Sequence, residues 1–140
     1  MGVRRGAGVV VAAAVLALLT SAPADAAALD QSDVPRVKVK IESIRLASYS
    51  GSVAVLAQVK CTPKVDGVGT ASWSVKAHQP GVRARGEAAI PCDGKKRLVG
   101  MRLVPRSGAF ESGLLDVELD TLAEGTSGAA GTGTFFTTRI

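Results

Sequence analysis

Apolar and polar residues alternate along most of this chain, and this alternation constrains its fold more than any other feature. The pattern is clearest over residues 52–62, where one parity is apolar: Val53, Val55, Ala57, Val59 and Cys61. Successive side chains of a β-strand point to opposite faces of a sheet, so this segment is predicted to be a strand with one buried face. The same period runs through 36–46 and slips by one residue between Ile41 and Ile44, as it would at a β-bulge.

Four further segments show the same alternation. Their expected inward residues are Trp73, Val75 and Ala77; Ala88, Ile90 and Cys92; Val99, Met101 and Leu103; and Leu115, Val117 and Leu119. Trp73 and Met101 are therefore interpreted as core residues. A seventh, threonine-rich strand is predicted near residues 132–139, with Phe135 and Phe136 on opposite faces.

Turn residues separate these segments. Pro80-Gly81 is typical of the centre of a type II turn, and Asp93-Gly94 predicts a two-residue hairpin that joins the fourth and fifth strands. No segment after the N-terminal apolar run has helical periodicity. We therefore predict an all-β protein, an antiparallel two-sheet sandwich of about seven strands, with a small barrel as the alternative.

The N-terminal segment has the order of features found in a secretory signal peptide. Arg4 and Arg5 precede an apolar run over 7–19, and small-residue cleavage sites follow at 22–26. The apolar run is too short to span a bilayer. We predict a signal peptide over 1–26, a flexible leader over 27–35 and a single β-sandwich domain over 36–140. The expected location is secreted and extracellular.

Cys61 and Cys92 are the two cysteines of the chain. Two thiols in an exported protein usually pair, so a disulfide between them is expected. With a single histidine, His78, the chain has too few ligands of the usual kinds for a zinc site, and no cofactor or metal is expected. Immunoglobulin domains have a buried tryptophan shortly after their first cysteine, and Trp73 lies at a similar distance after Cys61. Their second cysteine lies on the sixth strand, however, whereas Cys92 falls near the predicted fourth strand. The prediction is therefore an immunoglobulin-like sandwich.

Several short motifs support a resemblance. They are Val59-Lys60-Cys61-Thr62, a strand that contains Gly86, and Pro91-Cys92-Asp93-Gly94 followed by a basic strand. Together with the signal peptide, they resemble uncharacterised small exported immunoglobulin-like β-sandwich domains of actinobacteria. The resemblance covers most of the predicted domain, and it implies a setting but no activity.

The candidates for catalytic chemistry are few. His78 falls on the polar face of the third strand, and no serine has the G-x-S-x-G surroundings of a nucleophile elbow. Asp116, Glu118 and Asp120 share one face of the sixth strand. They are interpreted as a solvent-facing row, paired with Arg102 or with Lys38 and Lys40, rather than as a calcium site. No catalytic residue is predicted.

A cationic patch is the best candidate for a binding site. A disulfide would bring together the basic residues on either side of it, which are Lys60, Lys64, Lys95, Lys96 and Arg97. Asp66 and Asp93 are the local anions. Such a patch could attract an anionic cell-envelope polymer or a membrane surface, and salt should screen the attraction. The alternative is a solubilising rim around a hairpin.

These observations predict a secreted, non-catalytic binding or structural accessory module. They do not identify its ligand, for which an anionic envelope component is the candidate. An apolar small-molecule carrier and a small secreted hydrolase that uses carboxylates remain alternatives. The chain has one Trp, one Tyr and three Phe, too few for the aromatic platforms on which nucleic acids stack. We therefore expect no nucleic-acid partner. The protein is also expected to be a monomer.

Overall fold

The computed structural model describes residues 33–47 and 49–140, which form seven β-strands. The strands are β1 (Arg36–Ala47), β2 (Ser52–Thr62), β3 (Thr70–Gln79), β4 (Val82–Ile90), β5 (Arg97–Leu103), β6 (Leu114–Glu124) and β7 (Ala129–Arg139). The described residues contain no helix that could cross a membrane. The predicted signal peptide and residues 27–32 of the predicted leader lie outside the described residues.

The strands form two antiparallel sheets, which confirms the predicted sandwich. One sheet has the order β1-β2-β5 and the other has the order β4-β3-β6-β7. In a constant-type immunoglobulin domain the fourth strand belongs to the sheet of the first, second and fifth. Here β4 pairs with β3 instead. The fold is thus an immunoglobulin-like sandwich whose fourth strand belongs to the sheet of β3, β6 and β7.

The predicted strand boundaries and faces agree closely with the observed sheets. β2 has the predicted bounds Ser52–Thr62 and lies at the centre of its sheet, between β1 and β5. The register between β1 and β2 shifts between Ile41 and Ser43, which confirms the predicted bulge. β7 begins at Ala129, earlier than predicted, because its glycine-rich first half pairs with β6 up to Glu124.

The core lies between the two sheets. The apolar face of β2 packs there with the apolar faces of β3 and β6, and Trp73 on β3 is 1% exposed. Met101 on β5 is partly buried against the same cluster, so both residues occupy the predicted core positions. Gly86 lies on the inward face of β4, where an added Cβ would overlap the Met101 Sδ. The missing side chain therefore allows β4 and β5 to approach across the sandwich.

The predicted hairpin at Asp93-Gly94 is wrong. β4 and β5 belong to different sheets, so the segment between them crosses from one sheet to the other. A type I′ turn needs positive φ at both central residues. Gly94 has φ of 75°, but no non-glycine residue in the described part has positive φ. β4 ends at Ile90, so Cys92 lies in the crossing segment and not within the strand as predicted.

The predicted turn at Pro80-Gly81 is confirmed. It joins the paired strands β3 and β4, and Gly81 has φ of 76°.

The packed domain begins at Asp33, inside the segment predicted to be a flexible leader. Val34 is only 3% exposed and counts among the buried apolar residues. The Asp33 carboxylate accepts hydrogen bonds from the backbone N–H of Thr126 at 2.7 Å, from the Thr126 hydroxyl, and from the Ser127 hydroxyl at 2.7 Å. Contacts with a loop distant in the sequence therefore hold this segment, and the local sequence did not indicate them.

We expect Asp33→Asn to lower the thermal unfolding temperature at neutral pH, and the difference from wild type to shrink in acid. Hydrogen bonds from the Thr126 and Ser127 side chains hold the pKa of Asp33 well below its ordinary value of 3.8. The stabilisation is therefore present above the ordinary value and is lost as the pH falls through the lowered one. Calorimetry of both proteins between neutral and strongly acidic pH measures this difference.

Asp66→Asn is a suitable control, since Asp66 is an exposed carboxyl for which no hydrogen bond to another described residue is found. Equal unfolding temperatures for wild type and Asp33→Asn at neutral pH would contradict the prediction.

Candidate binding surface

The structure confirms the disulfide on which the predicted cationic patch depends. Cys61 and Cys92 are bonded to each other, with their Cα atoms 4.5 Å apart. The backbone N–H of Gly94 also donates to the carbonyl oxygen of Cys61 at 2.9 Å. These two links hold the segment between β4 and β5 against the end of β2.

One of the predicted patch residues already has an anionic partner. Asp93 accepts a hydrogen bond from Arg97 Nη1 at 2.7 Å and a second one from Arg97 Nη2. The backbone N–H of Lys95 also donates to Asp93, at 3.0 Å. The Arg97 guanidinium, followed by the Lys95 N–H, holds the pKa of Asp93 well below its ordinary value, and Asp93 raises the pKa of Arg97. The positive charge of Arg97 is thus largely neutralised by Asp93 within the protein.

The remaining patch residues divide between two places. Lys64 and Lys95 lie in connecting segments, outside the strands. Lys60 lies on β2, and the β2–β5 register pairs Val59 with Arg97. Continuing that register by one residue places Lys96 opposite Lys60. Both lysines line a groove that also includes Lys38 and Lys40 of β1.

In the folded domain, therefore, the basic residues are concentrated on the outer face of the three-stranded sheet and not around the disulfide. Seven basic residues belong to this face, and we call them the cationic face: Arg36, Lys38, Lys40 and Arg45 of β1, Lys60 of β2, and Lys96 and Arg102 at β5. Glu42, which lies 3.4 Å from Lys40, is the one carboxylate within 4.0 Å of any of these cations among the described residues. Five residues of this face were not predicted as parts of a binding site: Arg36, Lys38, Lys40, Arg45 and Arg102. The basic alternation at 36, 38 and 40 was a visible signal for β1 alone.

Two lysines face each other directly on this surface. Lys38 and Lys60 are register partners on neighbouring antiparallel strands, and neither lies within 4.0 Å of a carboxylate in the described part of the chain. Like charges directly opposite each other destabilise a sheet. An anion bound between them would remove that repulsion, which makes this pair the part of the face most favourable for an anionic group.

Most of the cations lie toward the two ends of the face. Lys38, Lys60 and Lys96 lie at one end, and Arg45 and Arg102 flank Ala54 at the other. Lys60 and Ala54 are six residues apart along β2, which corresponds to about 20 Å. Between the ends, Lys40 lies beside the neutral Gln58, and the next row contains only Leu56 and Gly100 on β2 and β5. A small anion could contact only one group, whereas an extended polyanion could contact both.

The predicted row of carboxylates lies on the opposite side of the molecule. Lys76 of β3 lies 3.6 Å from Glu118 and 4.0 Å from Asp120. His78 Nδ1 lies 3.9 Å from Asp116, and the Thr137 hydroxyl donates to Asp116 at 2.9 Å. The predicted partners Arg102, Lys38 and Lys40 are wrong, because those residues are on the other sheet.

The outer face of the four-stranded sheet also borders an open hollow. Lys76, His78, Arg83, Glu118 and Phe135 contribute to its lining. Of its carboxylates, Glu118 lies next to Lys76 and Glu87 next to Arg85, and Asp116 lies next to His78. No group of three His, Cys, Asp or Glu side chains within the described ranges is placed to hold a metal ion.

Comparison with known proteins does not assign this chain to a family. Neither a scan against protein-family models nor a search of curated proteins finds a match to it. The proposal below therefore depends on the geometry and charge of the surface.

Proposed function

We propose that this protein is an exported, non-catalytic binding module whose cationic face attaches to a linear anionic polymer of the cell envelope. One observation carries the proposal. The cationic face contains seven basic residues and a single neighbouring carboxylate, with Lys38 directly opposite Lys60. The predicted signal peptide and the resemblance to exported actinobacterial domains support the setting. The Cys61–Cys92 disulfide is consistent with an oxidising compartment.

The layout of the cationic face favours a polymer over a membrane surface. Proteins that lie on membranes usually insert aromatic or large apolar side chains between lipid headgroups. The outer positions of β1, β2 and β5 carry no aromatic residue, and Leu98 is the large apolar side chain most exposed there. Cations spread along the face of a sheet instead suit a flexible chain with a charge at each repeat.

We expect the wild-type protein to bind immobilised linear polyphosphate at low ionic strength and to be released by high salt, because salt screens exposed charges. Charge reversal of the lysine group, in the variant Lys38→Glu, Lys60→Glu, Lys96→Glu, should raise the dissociation constant by at least about tenfold. Surface plasmon resonance measures both effects.

The matched control reverses three arginines elsewhere, in the variant Arg83→Glu, Arg85→Glu, Arg106→Glu. It makes the same change in net charge without altering the cationic face. Equal weakening by the two variants would show that net charge alone causes binding, and would overturn the proposal. Binding to anionic lipid vesicles without binding to polyphosphate would overturn the choice of a polymer.

A further inference from the structure

The two sheets have four edge strands, and three of them carry the features that prevent pairing with another chain. β1 presents Lys38 and Lys40 and contains the bulge after Ile41. β4 has a charged residue at every second position over 83–87. β5 is only seven residues long, and Pro105 follows it. Charges, bulges, prolines and short length are the usual protection of sheet edges.

The edge strand β7 has none of these features. It is eleven residues long, pairs with β6 without a register shift, and contains neither proline nor a charged residue before Arg139. Its outward face includes Gly131 and Gly133, and Phe135 is 77% exposed. An edge strand of this kind is a template for the addition of another strand.

In place of the monomer expected from the sequence, we propose that a second copy of this chain pairs with β7 in antiparallel orientation, so that the two four-stranded sheets form one eight-stranded sheet. Because β7 is the one unprotected edge of the described domain, the pairing closes at two copies and produces a dimer with two-fold symmetry.

The composition of β7 makes it complementary to itself. With Thr134 on the two-fold axis, Phe135 lies opposite Gly133 of the partner subunit, where no side chain occupies the sheet surface. An aromatic side chain packed over a cross-strand glycine compensates for the weakness of the glycine in a sheet. In the same register Arg139 lies opposite Ala129 of the partner subunit.

The same register also places opposite charges near each other. Ala129 pairs with Glu124 of β6 within one subunit. Arg139 of one subunit is therefore separated from Glu124 of the partner subunit by one intervening strand, or about 10 Å between their backbones. The two long side chains can span this distance. Both residues are exposed, and neither makes an ion pair with a described residue of its own chain. Each dimer would contain two such pairs.

The dimer has a consequence for the proposed polymer site, and this step alone depends on the proposed function. The two-fold axis is perpendicular to the shared eight-stranded sheet. The three-stranded sheets of the two subunits therefore lie on the same side of the shared sheet. The two cationic faces then point the same way, and one polymer can contact both. Such bivalent binding raises the apparent affinity without any new contact.

The first test is sedimentation of the purified exported protein in the absence of polymer, so that its result is independent of the proposed function. Wild type should show a monomer–dimer equilibrium. Thr134→Glu places two carboxylates opposite each other on the axis and should raise the dimer dissociation constant by at least about tenfold. Ala89→Glu, which introduces the same charge on the exposed face of β4, should change the dimer dissociation constant less than about twofold. Thermal unfolding confirms that both variants fold.

A second test reports the register directly. Under oxidising conditions Thr134→Cys should form a disulfide-linked dimer, and Ala89→Cys should not. A wild type that sediments as a monomer at every concentration, or equal cross-linking of the two cysteine variants, would overturn the proposal. A wild-type dimer that fails to bind polyphosphate would overturn the proposed function and leave the dimer standing.

Discussion

Loss of the Cys61–Cys92 disulfide should lower the free energy of unfolding by about 3.5 kcal/mol, which is the chain-entropy value for a loop of this length. The two cysteines are 31 residues apart, and the loop between them includes all of β3 and β4. The bond is the covalent link between β2 of one sheet and the segment that leaves β4 of the other. Without it the unfolded chain is less restricted, and the crossing segment keeps only hydrogen bonds such as that from Gly94 to Cys61.

Two measurements separate the cross-link from the packing of the cysteines. Cys61 is fully buried, so the double variant Cys61→Ala, Cys92→Ala also removes a sulfur atom from the core. Reduction of the wild type breaks the bond but keeps both sulfurs. Denaturant unfolding should place the reduced wild type and the double variant close together, and both well below the oxidised protein. An unchanged midpoint after complete reduction would contradict the prediction.

Trp73→Ala should have a comparable or larger effect and lower the free energy of unfolding by about 4 kcal/mol, the usual cost of emptying a large aromatic site in a core. Trp73 is among the largest fully buried side chains of the described domain, and it packs between the sheets with the apolar residues of β2 and β6. The shortened side chain would leave a cavity that two hydrogen-bonded sheets cannot easily close.

A second substitution at this position tests an unusual feature of the core. The Trp73 Nε1–H is buried and has no hydrogen-bond partner among the described residues. An unsatisfied buried donor costs about 1–3 kcal/mol. Trp73→Phe removes this donor together with part of the ring, so we expect it to cost less than half as much as Trp73→Ala.

Denaturant unfolding followed by circular dichroism compares the two variants, and Thr70→Ala, at an exposed position of the same strand, controls for changes in strand propensity. If Trp73→Phe proved as costly as Trp73→Ala, the account of the unpartnered donor would be wrong.

Local sequence was a reliable guide wherever the property in question belongs to a single strand. The alternation over 52–62 predicted both the bounds and the buried face of β2, and the slip after Ile41 predicted the bulge in β1. The disulfide could also be predicted, since the chain has only two cysteines and its N-terminal sequence predicts export. Each of these inferences requires only the period of a strand or a count of reactive groups.

Pairing between strands could not be predicted in the same way. Asp93-Gly94 has the composition of a hairpin turn, but the chain crosses there to the other sheet, since β4 pairs with β3. The same ambiguity led to the wrong partners for Asp116, whose neighbours prove to be His78 and Thr137. Turn composition describes a few residues, whereas the choice of neighbouring strand depends on contacts between distant parts of the chain.

The sequence by itself determined the elements of this protein: alternating strands, a buried tryptophan, one disulfide and an excess of basic residues. Only the tertiary structure decided which strands lie at edges and which charges share a face. Lys38, Lys60 and Lys96 are far apart in the chain, and the order β1-β2-β5 alone brings them together. The physical reason is that side-chain direction follows from the local backbone, while neighbourhood across a sheet follows from the packing of the whole domain.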